Sequence, residues 1–199
     1  MEHTRERILQ TALHLFAQNG FEAVSTSQIA GQLGITKGAL YRHYTSKRDI
    51  FEAILRRMEQ NDREKAEEND VPPDPIENDP EPYRQTSLAD FIGYAKQKFR
   101  YWTSDPFAAD FRRLLTLEQH RDAEMMALYQ QYLAGGPLGY TADFLTEAGL
   151  PAPQEKAAAL YGAMFLLYTV YDGAEDKHAV EEQLDAVLDG LLNEWEALR

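Results

Sequence analysis

The sequence predicts an all-α chain of about nine helices, divided into a small N-terminal unit and a larger C-terminal bundle. Three observations lead there. Apolar residues recur at helical spacing through most of the 199 residues. No stretch alternates with period two between turn residues, so no sheet is indicated. Ser, Thr, Asp, Pro and Gly stand where helices would begin and end.

The first helix carries Ile8, Leu9, Ala12, Leu13, Leu15 and Phe16 on one face, with Arg5, Glu6, Gln10 and His14 between them. Asn19-Gly20 ends it, because a glycine past the last turn can adopt the left-handed conformation. Ser25 and Gln28 form a capping box that starts a second helix over about 26–33, with Ile29, Ala30 and Leu33 inward. Gly34 breaks it. Thr36 caps a short third helix over about 37–44, and Ser46 caps a fourth, with Asp49 near its positive end.

Between Asn69 and Thr86 five prolines stand among acids and few apolar residues, which excludes a regular helix and marks a linker. Helical patterns resume over about 87–103, 105–119, 122–148, 153–174 and 178–198. Pro106 and Pro153 suit first turns, and Gly135-Gly136-Pro137 should kink or interrupt the long third pattern. The expected organisation is therefore a head over 1–46, a connecting helix over 47–68, a linker over 69–86 and a bundle over 87–199.

Composition narrows the chemistry. At 44% hydrophobic residues the chain can bury a real core without disulfides or metal. The absence of cysteine excludes thiol catalysis, iron–sulfur clusters, cysteine-zinc sites and a disulfide framework. The polar opening, Met1 to Gln10, does not read as a signal peptide. The longest uncharged apolar run, Ala157 to Tyr171, has 15 residues, short of the roughly 18 a membrane span needs. A soluble, cytoplasmic protein is expected. There is no phosphate-binding glycine loop, nucleophile elbow or evident carboxylate pair, so no enzyme and no cofactor is indicated. The His120/Glu124 and His178/Glu182 pairs have i,i+4 spacing but lack a third ligand nearby, so no metal site is expected.

The net charge of −13 is unevenly spread. Residues 1–60 hold eight Lys/Arg and six Asp/Glu, a balance of +2, which leaves −15 on the remainder. A mildly basic head can approach phosphates while an acidic body stays off them.

Helices two and three meet the needs of a helix-turn-helix. Gly34 supplies the tight turn, and Ala30, Leu33, Ile35 and Leu40 lock the pair. The second helix presents Lys37, Gly38, Ala39, Tyr41, Arg42, His43 and Tyr44, of which Tyr44 is expected to pack inward. The run Ile29-Ala30-x-x-Leu33-Gly34-Ile35-Thr36-Lys37-Gly38-Ala39-Leu40-Tyr41-Arg42-His43-Tyr44-x-Ser46-Lys47 closely resembles the recognition segment of the tetracycline-repressor (TetR) family. The resemblance extends from about residue 5 to residue 58 and weakens beyond.

What it implies is a DNA-binding transcriptional regulator, most often a repressor, that binds a palindromic operator as a homodimer. A small-molecule effector, lipophilic or aromatic, would release it from double-stranded DNA. The positions that face DNA in the family correspond here to Ser25, Thr26, Ser27, Thr36, Lys37, Gly38, Ala39, Tyr41, Arg42, His43 and Lys47. Thr26, Tyr41, His43 and Lys47 suit phosphates, and Lys37 and Arg42 suit guanine edges. A helical protein that docks a protein partner or organises chromosomes without a small-molecule switch is the alternative.

In the bundle, Phe91, Tyr94, Trp102, Phe107, Phe111, Tyr129, Tyr132, Phe144, Phe165 and Tyr168 are the candidates for a ligand pocket. The uncharged helix with Leu160 and Met164 is expected to be buried from two sides. With the stripe Leu184, Val187, Leu188, Leu191 and Trp195 of the last helix it forms the candidate dimer interface.

Overall fold

The computed structural model describes residues 2–68, 71–72 and 81–198, and every described element is helical or a turn. Eleven helices occur among these residues: α1 (Glu2–Asn19), α2 (Thr26–Gln32), α3 (Lys37–Tyr41), α4 (Lys47–Glu67), α5 (Glu81–Gln85), α6 (Leu88–Ser104), α7 (Pro106–Glu118), α8 (Ala123–Leu133), α9 (Gly135–Glu147), α10 (Pro153–Gly173) and α11 (Lys177–Glu196).

The two helices beyond the expected nine have separate causes. The pattern over 122–148 is interrupted at Ala134, where α8 ends and α9 begins. A Cβ on Gly136 would lie 2.1 Å from the Gln131 carbonyl oxygen, so the close approach there requires glycine. The other is α5, inside the stretch expected to be helix-free. A proline at the second position of a helix removes no intrahelical hydrogen bond, so Pro82 is compatible with this short helix. The proline-rich residues 73–80 of the expected linker lie outside the described residues.

The chain divides into two compact units, residues 1–61 with 105–129 and residues 62–104 with 130–199. This grouping differs from a simple cut at the linker, because α7 and the start of α8 belong with the head. The reason is packing: α7 lies along α1, and its Phe107, Phe111, Leu114 and Leu115 are buried in that unit. His14 Nδ1 meets Asp110 Oδ2 at 2.9 Å, and the Arg57 guanidinium on α4 stands 4.9 Å from the Phe107 ring centroid while pairing with Glu6. Ile8, Leu13, Phe16, Ile29, Leu40, Phe51 and Ile54 fill the rest of this core, each contributing roughly 1.5–3 kcal/mol by burial.

In the second unit α10 packs on α9 and α11, and α11 packs on α6. Phe91 stacks on Phe144 at 3.8 Å between centroids and Phe99 on Tyr168 at 5.0 Å. The α6–α11 seam is edged with ion pairs, Lys96 to Asp189 at 2.6 Å and Arg100 to Asp185 at 2.5 Å. The Tyr161 hydroxyl donates to the Leu133 carbonyl at 2.9 Å, and the Tyr140 hydroxyl donates to that of Pro72 at 2.8 Å. Burial pushes the Tyr140 hydroxyl well above the usual tyrosine range, so it remains a donor. Lys98 shows opposed effects. Desolvation favours loss of its proton, but Asp62 at 3.4 Å and the Tyr94 hydroxyl at 3.3 Å outweigh that and hold it charged.

Candidate DNA-binding site

The head is assembled by local chemistry. Ser25 Oγ accepts from the Gln28 N–H at 3.2 Å while Gln28 Oε1 accepts from the Ser25 N–H at 2.7 Å, so the expected capping box starts α2. Gly34 turns the chain with φ +67°, a conformation that side chains other than glycine adopt poorly. Thr36 then caps α3, its Oγ1 accepting from the Ala39 N–H at 3.1 Å. Helix α3 ends at Tyr41, sooner than the expected residue 44. The His43 and Tyr44 amides both turn back to the Leu40 carbonyl, which carries the Tyr44 ring into the core. The α4 start is closed reciprocally: Ser46 Oγ accepts from the Asp49 N–H and Asp49 Oδ2 from the Thr45 N–H, at 3.0 and 2.7 Å.

Most of the predicted residues are open to solvent. Ser25, Ser27, Thr36, Lys37, Gly38, Tyr41 and Arg42 are exposed; Thr26, Ala39, His43 and Lys47 are half-buried. The Thr26 and Tyr41 hydroxyls lie 3.2 Å apart and tie the start of α2 to the end of α3. Lys37 Nζ sits 5.6 Å from the Tyr41 ring centroid. A Cβ on Gly38 would meet nothing closer than Thr36 Oγ1 at 4.0 Å, so bare backbone is offered at the front of α3. Lys47 behaves differently. Its Nζ donates to the Phe21 carbonyl at 2.7 Å and the Glu22 carbonyl at 3.3 Å, and it stands 4.3 Å from the Phe21 ring centroid. Its charge is directed at the α1–α2 turn.

Some participants carry no local signal. Arg48 forms a bidentate pair with Glu124 of α8, and that hydrogen bonding holds the Glu124 carboxyl below the usual carboxylate range and the Arg48 guanidinium above its own. Glu118 of α7 reaches the Phe21 amide. Both link positions more than seventy residues apart, beyond any motif or helical period.

The body candidates regroup. Phe91, Tyr94, Trp102, Tyr132, Phe144 and Tyr168 are buried within the second unit. Phe107, Phe111 and Tyr129 belong to the first, and Phe165 is exposed, so the ten aromatics do not form one cluster. The dimer candidates change more. Leu160, Met164, Leu184, Leu188 and Trp195 are buried inside their own unit, because α10, α11 and α6 pack on that stripe. Leu191 is half-buried and Val187 exposed. The large apolar side chains left exposed from α10 onward are instead Phe165 (41% exposed), Leu166 (63%) and Val170 of α10, Val187 of α11 and Leu198 beyond it. No group of three His, Asp or Glu side chains able to hold a metal occurs among the described residues, and Glu124 is engaged by Arg48. No described helix is long and apolar enough to cross a membrane.

A family model described as bacterial regulatory proteins, tetR family, matches residues 8–54. The match to the TetR family lies in the head, residues 8–54. Residues here are 42% identical over 60 residues to the transcriptional regulator AcrR of Shigella flexneri, covering 30% of this chain and 28% of that protein. The nucleoid occlusion factor SlmA of Pasteurella multocida is 35% identical over 60 residues, 30% of each chain. The likeness in sequence thus spans under a third of these relatives. In fold it spans nearly everything. SmeT of Stenotrophomonas maltophilia in complex with triclosan superposes with a TM-score of 0.65 at 19% identity, over 96% of this chain and 91% of that one. FadR of Bacillus subtilis in complex with stearoyl-CoA gives 0.64 at 19% identity, over 94% and 97%.

Proposed function

We propose that this chain is a TetR-family, sequence-specific DNA-binding transcriptional regulator, a cytoplasmic homodimer that represses from a palindromic operator and is released by a small molecule. One observation carries the reading. A Thr36-capped helix presents Lys37, Gly38, Tyr41 and Arg42 outward from a glycine turn, while Leu40 anchors its other face. A helix so mounted enters a major groove N-terminus first, where Lys37 and Arg42 reach guanine O6 and N7 and the Ala39 methyl can meet a thymine methyl. The exposed hydroxyls of Ser25, Ser27 and Tyr41 suit phosphates.

The exposed apolar side chains of Phe165, Leu166, Val170, Val187 and Leu198 support the homodimer, since exposed apolar surface on a folded chain is what an interface covers. Two copies joined there would present two α3 helices to half-sites about 34–36 Å apart. The aromatic interior around Phe91, Phe144, Phe99 and Tyr168, with the bound triclosan and stearoyl-CoA of the fold neighbours, supports a lipophilic effector. Such a ligand need only bind the non-reading conformation better.

The test is duplex selection from a random pool by the full-length protein, followed by affinity against salt. An inverted repeat with affinity that falls steeply as salt rises supports the reading. Retention of no duplex, after bound small molecules are stripped, rejects it. The likeness of the head to SlmA favours one second reading, a chromosome organiser. That reading predicts many dispersed genomic sites and no effector response.

A further inference from the structure

The DNA reading accounts for α2 and α3 but not for a carboxylate buried far along the chain. Glu118, in the last turn of α7, is 2% exposed. Its Oε1 accepts from the Phe21 N–H at 2.9 Å and from Arg121 Nη1 at 3.1 Å. Burying a carboxylate is unfavourable unless its oxygens are hydrogen-bonded, so these donors set where it sits. Phe21 is gripped from its other side too. Lys47 takes its carbonyl, and its ring lies between Phe16 and Phe51 at 5.1 Å from each centroid. Gly20, the preceding residue, has φ +84°, and a Cβ there would fall 2.5 Å from Glu118 Oε1 and 2.7 Å from Arg121 Nη1. The turn is shaped around this carboxylate, in conformation as well as in space.

We infer that Glu118 is a positioning residue for DNA reading: by holding the Phe21 amide it fixes the α1–α2 turn, and with it the α2 N-terminus that carries Ser25, Thr26 and Ser27. The inference deepens the DNA reading and rests on it. Without the acceptor, Phe21 has an unsatisfied donor in a core. The turn then spends less time in the reading conformation, and apparent affinity falls by that lost fraction. The sign is informative. By charge alone, removing a carboxylate from a DNA-binding head tightens its hold on a polyanion. Positioning requires the opposite.

The experiment uses the full-length protein and the duplex that the unsubstituted chain selects from a random pool. Glu118→Ala should raise Kd about tenfold, the scale of one unsatisfied buried donor, with the salt slope unchanged. Glu118→Gln keeps an acceptor oxygen at the amide and should stay within about twofold of the unsubstituted chain. Amide hydrogen exchange at Phe21 should accelerate in Glu118→Ala and not in Glu118→Gln, while Leu13 in the middle of α1 keeps its protection. Unchanged or tighter binding by Glu118→Ala overturns the proposal, and so does equal weakening by both variants. Loss of Leu13 protection overturns it as well, by making Glu118 a support of the whole head. If the unsubstituted chain retains no duplex, the DNA reading itself fails, and exchange at Phe21 still reports whether Glu118 holds the turn.

Discussion

The head and the body expose side chains of different chemistry. In the head the exposed residues at the α2, α3 and α4 starts are small, polar or cationic, and a neighbour three residues away places each helix there: Ser25 with Gln28, Thr36 with Ala39, Ser46 with Asp49. In the body large apolar side chains are exposed among the charges, Phe165, Leu166 and Val170 on α10, and ion pairs edge the α6–α11 seam. The contrast fits a likeness that is one of sequence in the head and one of fold in the rest. A groove-reading surface depends on particular side chains, whereas an apolar interior or interface tolerates any set of similar volume.

The largest expected effect breaks the body alone. Phe91→Ala leaves a hole beside Phe144 and should cost about 3–5 kcal/mol of stability, read as a lower denaturant midpoint in the tryptophan signal, since Trp102 and Trp195 both lie in the second unit. A midpoint unchanged from the parent chain would mean that this stack is not core. Leu166→Glu comes next. Placing charge on the most exposed apolar side chain should yield a monomer by light scattering and weaken full-operator binding roughly a hundredfold through lost bivalency. A persistent dimer would move the interface elsewhere. The matching change in the head, Lys37→Ala, should lose about 1–3 kcal/mol of discrimination at one base pair while leaving the other positions as they were. Uniform weakening across sequences would reassign Lys37 to phosphate.

The smallest effect is a pH dependence. Hydrogen bonding by Arg48 lowers the Glu124 carboxyl, so its contribution is present at neutral pH and is lost as pH falls through and below the ordinary glutamate value of 4.5. Both side chains are about half exposed, so about 0.5 kcal/mol or less is expected. The melting difference between the parent chain and Glu124→Gln should therefore be small at pH 7 and shrink further in acid. A difference that grows with acid would contradict the assignment.

What could be read from residue order was the chemistry that acts within one helical turn. The capping box at Ser25, the glycine turn at Gly34, the caps at Thr36 and Ser46, the first-turn prolines 106 and 153 and the break near Gly135 all follow from neighbours in the chain, so the helices and the face of α3 were legible. A helical stripe says which residues share a face but not what covers them. Leu184 and Leu188 met the chain's own α6 and α10, and the surface fell to Phe165 and Leu166 of α10. In the same way the pattern of α7 predicts a buried face without saying that the partner is α1, and nothing near Glu118 announces an amide ninety-seven residues away. Those choices belong to the folded chain, because burial and hydrogen-bond satisfaction are settled by whichever elements arrive together, and that is a property of three-dimensional packing rather than of spacing along the backbone.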